Sequence, residues 1–424
     1  MKLFVFATLL GLTQGFVTPS TSMTSKSLTK LSVEEAPVST GFDNFCIENV
    51  GGVKIDPEYA RRYRRTVYTH DDWKKHRQQD RFLIYMGSLF SSGVYQNMKS
   101  EVFFVTSFAA IVCVWNALVT GPTGIDGTQM DPIIGGGILP AAGLPLNPFT
   151  LSGSSLALLL TFRVNTSYKR WDEARKNWGM NINHTRDLVR MANTFYDTGI
   201  PDFDPQTRQE TLNYVALCTW SFVRAMKRHL SPEEEDEQAF RIEIMEKLPG
   251  EQAQKIIDAA HRPNRALQDL SYAIEQVPMH FVRRNQVQEA LTIFEDNLGS
   301  SERLLTSPVP LFYTRHLSRF ITIWLALLPL AIYDPFKGSW NHIAMVPAMF
   351  FLSIFFFGVE ELATQLEEPF TILPMQGFCD KIYNWCFEIM SWQPGDGGRM
   401  PKPVKPQHKY FVAVPAPQEF YQQY

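Results

Sequence analysis

The chain has 424 residues and a formal net charge of -3, with 20% charged residues, which excludes the basic surface that a nucleic-acid partner needs. A mean hydropathy of -0.14 confines any membrane portion to a minority of the chain, yet the apolar 45% is gathered into a few long runs. Five scattered cysteines (Cys46, Cys113, Cys218, Cys379, Cys386) contain no C-x-x-C pair, so neither a zinc site nor a disulfide framework is encoded. Reduced thiols suit a cytosol-like compartment.

Residues 1–15 carry Lys2, the apolar stretch Leu3–Leu12 and then small and polar residues, the pattern of a signal peptide. Residues 16–45 open on Phe16 and are rich in Ser and Thr, with Lys26 and Lys30 and no acid before Glu34, the composition of a transit peptide. This bipartite arrangement resembles the presequence of algae with complex plastids and predicts a plastid destination.

Four apolar segments follow, near residues 102–120, 148–176, 320–333 and 343–361. The first is uncharged and long enough to cross a bilayer core of about 30 Å at about 1.5 Å per residue. The second is preceded by an irregular lead-in holding Pro140 and Pro145, and its helix is expected to begin near Pro148, since proline suits a first helical turn. It turns abruptly from apolar to densely charged after Phe162, as a helix leaving a membrane for water would. Phe320–Tyr333 and Ile343–Val359 are short for lone spanning helices and hold Pro329 and Pro347, which neighbouring helices make tolerable. A bundle is therefore expected rather than isolated anchors.

The polar region Arg163–Arg319 is patterned at helical spacing, as in Leu212, Val215, Ala216, Thr219, Phe222 and Val223. Ser231-Pro232 followed by Glu233–Glu237 reads as a helix start, with the acids forming a solvated face near the positive end of the dipole. No strand-period segment is convincing, so the fold is expected to be all-α, with four membrane helices and a large extramembrane helical region. Residues 393–424 form a Pro-rich, extended tail. Basic residues flank the outer ends of the first two segments (Arg61, Arg62, Arg64, Arg65, Lys74, Lys75; Lys169, Arg170, Arg175, Lys176), whereas the loop 121–131 has none. The positive-inside rule then places these ends on one side, the stroma.

Ser154, Leu158 and Phe162 fall at i, i+4 and i+8 and share a helix face. Copies arranged about an axis would stack a small polar ring and two apolar rings, a constriction that gates by wetting. Alternatively, Leu158 and Phe162 are ordinary core. Ser152, Gly153 and Ser155 place hydroxyls and open backbone near the expected helix start, where free N–H groups could contact an anion.

The run Phe162-Arg163, Asn165-Thr166-Ser167-Tyr168, Arg170-Trp171, Glu173-Ala174-Arg175 and Trp178-Gly179 resembles the signature of the bestrophin family of ion channels. Ser301-Glu302-Arg303 through Tyr313-Thr314-Arg315-His316 and Gly358-Val359-Glu360-Glu361 through Glu367-Glu368-Pro369-Phe370 are similar to two further family blocks. The resemblance covers roughly residues 80–390, within a channel domain at 46–392. It implies a homopentamer around a central pore in the lipid bilayer, with Ser154, Leu158 and Phe162 at the neck. It also implies passive flux of chloride and other monovalent anions across the thylakoid membrane, tuning the proton-motive force. A bicarbonate channel serving carbon concentration, a cation-selective pore and a non-conducting membrane scaffold remain alternatives.

Two departures stand out. Animal bestrophins follow Pro-Phe with acids that clasp calcium, whereas here Pro369-Phe370 precedes Thr371-Ile372-Leu373-Pro374-Met375-Gln376, with no oxygen cluster for a hard cation. Ser154 is more polar than the large apolar residue common at that neck position. An enzymatic reading of Glu360, Glu361, Glu367 and Glu368 as di-iron ligands fails, because none of the nine histidines has Glu three residues before it. These acids are expected at a membrane helix end, facing water or paired with Arg and Lys. No metal, cofactor or catalytic motif is indicated.

Overall fold

In the computed structural model, residues 49–50, 53–54, 61, 65, 67–90, 92–124, 128–135 and 138–393 are described. The expected signal peptide (1–15), transit segment (16–45) and, apart from Gln393, the tail lie outside them. Two-residue strands β1 (Asn49–Val50) and β2 (Val53–Lys54) pair antiparallel, the one small amendment to the helical expectation. Among the described residues, every other regular element is helix.

Two short helices, α1 (His70–His76) and α2 (Arg81–Gly87), precede α3 (Gly93–Thr120). Thr69 and Asp72 form a reciprocal capping box at the start of α1. α3 starts nine residues before the apolar run, since Gln96, Asn97, Lys99, Ser100 and Glu101 continue the same helix into water. It stops at Gly121, whose φ of +91° and close approach to the Met130 carbonyl leave no room for a Cβ.

α4 spans Asn147–Phe195, 49 residues without a break, or about 73 Å of continuous rod at 1.5 Å per residue. Its start agrees with the position of Pro148. Later come α10 (Leu311–Ile332) and α11 (Met345–Glu367), of 22 and 23 residues. The expectation that these two were short is thus corrected. The helices persist through polar residues such as Ser318 and Glu360 because those side chains find partners on neighbouring helices. α3, α10 and the stretch Trp340–Glu367 are each long and apolar enough to cross a membrane. α4 joins their layer only through its first 16 residues, before Arg163.

These four elements share one apolar core, including Val105 and Ala109 of α3, Leu156 and Leu160 of α4, Ile321 and Leu325 of α10, and Met345 and Met349 of α11. Buried Asn116 secures the irregular lead-in to α4. Its Nδ2 donates to the Ala142 carbonyl at 2.9 Å and its Oδ1 accepts from the Ala142 amide at 2.6 Å, so both the side-chain amide and the Ala142 peptide groups are met.

A second core belongs to the polar region. Its axis is α5 (Pro205–Leu230), capped by Asp204, whose carboxylate accepts from the Thr207 amide at 2.7 Å. α5 is buried on nearly every side from Leu212 to Met226, the stretch where its apolar residues are concentrated. Around it pack α6 (Glu233–Lys247), α7 (Gly250–Asp258), α8 (Arg262–Glu275), α9 (Phe281–Thr306), α12 (Met375–Ser391) and the distal part of α4. The four described cysteines are free and buried. Burial pushes the Cys379 and Cys386 thiols up to about 12, so they act as inert packing.

The acidic run at the start of α6 corrects the sequence reading. Asp236 is 3% exposed and binds Arg224 at 2.7 Å and Lys227 at 2.6 Å. Glu235 pairs with Arg65 at 2.5 Å. Glu237 collects Arg262, Arg228 and Arg241 at 2.6, 2.5 and 2.5 Å. Spacing alone could not show this, because five of the six partner cations sit on α5 and α8 or before α1. Arg262 and, after it, Arg228 and Arg241 hold the Glu237 carboxyl down to about 2. A depressed carboxyl stabilises fully above its unfolded value near 4.5, and the contribution is lost as pH falls from there through about 2. Glu237→Gln is therefore expected to cost on the order of 2–3 kcal/mol at pH 7. The gap to the unsubstituted protein should narrow as pH falls below about 4.5 and close near pH 2 when melting is followed against pH.

Candidate pore-lining site

The proximal part of α4 has two unlike faces. Leu156 and Leu160 are buried in the core shared with α3, α10 and α11, and Arg163 and Ser167 are buried as well. Half a turn round the helix, Leu151, Leu158 and Phe162 are 77%, 57% and 56% exposed in the single chain, with Ser154 between them and also exposed. Leu158 and Phe162 are thus not core residues within a single chain. An apolar stripe of this length needs a cover of lipid or of further copies.

The stripe is drier than its composition suggests. Ser154 Oγ donates to the Leu151 carbonyl at 3.2 Å, Thr161 Oγ1 to Ala157 at 2.9 Å and Thr166 Oγ1 to Phe162 at 2.8 Å. Each hydroxyl proton is spent on the helix's own backbone.

The expected anion contact at Ser152, Gly153 and Ser155 is not supported. The helix begins at Asn147, so these residues lie beyond its first turn, where amides are committed to the helical ladder. Ser152 Oγ donates to the Pro148 carbonyl at 2.7 Å and accepts from Trp324 Nε1 at 3.0 Å, while Gly153 faces the same indole. Two of the three are thus turned into the bundle, away from the stripe; Ser155 alone is exposed.

Directly behind Phe162 lies a feature the sequence did not disclose. Arg163 is fully buried, with Nη1 at 2.7 Å from Glu367 Oε2 and Nε at 3.7 Å from Glu360 Oε2. None of its nitrogens has hydrogen-bond geometry, so charge attraction rather than directed bonding holds it. The second oxygens of both acids are used: Ser318 Oγ donates to Glu360 at 2.9 Å and the Val309 amide to Glu367 at 3.0 Å. Two turns further along α4, Arg170 donates to three main-chain carbonyls, those of Glu367, Ser307 and Leu304, at 2.9, 2.7 and 2.5 Å. It thereby closes the C-terminal ends of α11 and α9. A signal existed in the sequence: Glu360 and Glu367 are seven residues apart, two turns on one face, and Arg163 is the first charge after an apolar run.

The remaining signature residues also join helices. Glu173 binds Arg303 at 2.6 Å, Arg175 stacks over the Phe378 ring at 4.9 Å, and Trp178 is buried in the second core. Glu361 accepts from Asn97 at 2.6 Å and Glu368 pairs with Arg61 at 3.1 Å. The four acids weighed as iron ligands are thus held by polar and cationic partners, as the paired-acid expectation required. Around Pro369 and Phe370, Arg61 meets Glu368 and Arg65 Nε donates to the Thr371 carbonyl at 2.8 Å.

Comparison with known proteins agrees with this architecture. A family profile described as Bacterial/Fungal Bestrophin protein matches residues 72–388. The voltage-dependent chloride channel 1, chloroplastic, of Arabidopsis thaliana is 29% identical over 327 residues, covering 77% of this chain and 73% of that protein. A voltage-dependent anion channel-forming protein of Nostoc sp. is 29% identical over 252 residues, 56% of this chain and 76% of the relative. Among solved structures, a bacterial bestrophin homolog from Klebsiella pneumoniae superposes with a TM-score of 0.57 at 23% identity, covering 70% of this chain and all of the other.

Proposed function

The chain belongs to the bestrophin family, and on that premise we propose that it forms an anion channel in a plastid membrane. Five copies surround a central pore, with the exposed α4 stripe as its neck and all four apolar elements crossing the bilayer. The observation that carries this reading is the asymmetry of α4, which buries Arg163 and Leu160 while leaving Leu158 and Phe162 bare. An apolar neck conducts when wetted and holds ions weakly, which suits passive flux of chloride down its gradient. The named relatives in chloroplasts and the transit-like composition of residues 16–45 support a plastid, and we assign the thylakoid membrane. Charge flow there would exchange electrical for osmotic and pH components of the proton-motive force.

The test is current through planar bilayers holding the purified full-length protein. Leu158→Ala and Phe162→Ala are expected to raise single-channel current severalfold, because a wider neck wets more readily. Reversal potentials in chloride, bicarbonate and potassium gradients then rank the permeant ions. Silence before and after both substitutions would establish a scaffold instead.

A further inference from the structure

His229 at the C-terminal turn of α5, His261 at the N-cap of α8 and Glu302 on α9 converge on one point, far apart in sequence. His229 Nε2 and His261 Nε2 each lie 2.8 Å from the same oxygen, Glu302 Oε1. The two rings sit 4.9 Å apart, centroid to centroid. One ligand atom from each of the three residues falls within a 4.8 Å spread. We propose that this triad is a binding site for a transition-metal dication of the zinc type, held by two imidazole nitrogens and one carboxylate.

The chemistry of the donors favours that class of ion. Imidazole nitrogen with a single carboxylate suits Zn and its neighbours, whereas a hard cation such as calcium wants several oxygens. Zn–N and Zn–O distances of about 2.0–2.2 Å are reached from the present spread by small side-chain rotations. The three side chains are 33%, 38% and 30% exposed, so an ion has a way in and water can complete its coordination.

Flanking charge does not oppose the ion as strongly as the sequence implies. Arg228 and Arg262, each next to a ligand histidine, both direct their guanidinium groups to Glu237. Loading has two identifiable costs: the Nε2 contacts of both histidines to Glu302 Oε1 at 2.8 Å are exchanged for metal bonds, and His261 Nδ1 accepts from the Asn264 amide at 3.3 Å. Metal at Nε2 moves the remaining ring proton to Nδ1, so that long cap bond is given up. Sequence spacing missed the triad because its members come from three helices.

The experiment uses the full-length, tag-free protein in detergent, titrated with Co2+ and followed by visible d–d absorption, with Zn2+ as competitor. One saturable equivalent per chain is expected, displaced by Zn2+ and accompanied by a rise in melting temperature with free metal. His229→Ala and the near-isosteric Glu302→Gln should each weaken binding on the order of tenfold or more. E302Q keeps the shape of the side chain, and circular dichroism with gel filtration verifies that each variant is folded. Absence of saturable uptake by the unsubstituted protein would overturn the site. So would an isotherm unchanged in a folded E302Q variant, which would put the metal elsewhere.

Discussion

Arg163→Ala is expected to lower stability by about 3–5 kcal/mol, the range for removing one partner from a buried ion pair. Glu360 and Glu367 would face each other in the space behind the neck with only Ser318 and the Val309 amide to hold them. Two mutually repelling carboxylates out of water are worse than the full triad or no charge at all. In thermal melting of the detergent-solubilised protein the drop should be on the order of 10 °C. Arg163→Met combined with Glu360→Gln and Glu367→Gln should recover most of it, because the unpaired charges then vanish together. A single Ala variant that melts with the unsubstituted protein would mean the acids take up protons at little cost, and that Arg163 does not anchor α4.

Asp236→Ala should cost a comparable amount, about 3–5 kcal/mol, in the extramembrane core. Arg224 is fully buried and keeps only Glu243, at 2.8 Å, once Asp236 is gone. Lys227, also buried, loses its acidic partner but retains a hydrogen bond to Gln376 Oε1 at 2.5 Å. Asp236→Asn, which preserves shape and one acceptor oxygen, should lose distinctly less. Chemical denaturation monitored by circular dichroism separates the two variants. Equal losses would show that charge alone, with no help from shape or the remaining acceptor, holds α5 to α6.

The sequence disclosed the elements whose causes are local. α4 could be placed because Pro148 starts it and no breaker interrupts it, and the face carrying Leu158 and Phe162 follows from helical spacing alone. Gly121 and the apolar run before it likewise fixed the end of α3. What stayed hidden were contacts made between distant segments. Asp236 looked like one acid in a solvated run, but its burial depends on Arg224 and Lys227 being presented by α5. Ser152 and Gly153 looked available to an anion, yet their direction is set by Trp324, more than 170 residues away. The ends of α10 and α11 were drawn too short because charge was taken to end a membrane helix, when Ser318, Glu360 and Glu367 are in fact part of the clasp on Arg163.

The unbroken length of α4 constrains how the conduit can change its bore. A helix with no glycine or proline hinge between Phe162 and Trp178 cannot yield locally at the narrow point without breaking backbone bonds. Anchored at Arg163, it acts instead as a seesaw. About 50 Å of rod lies on the watery side and about 24 Å on the other, so a given swing outside arrives at the bilayer reduced to about half its travel. In the proposed pore, any stimulus acting on the aqueous bundle would thus reach the neck as a small tilt, leaving side-chain rotation of Phe162 as the fast adjustment.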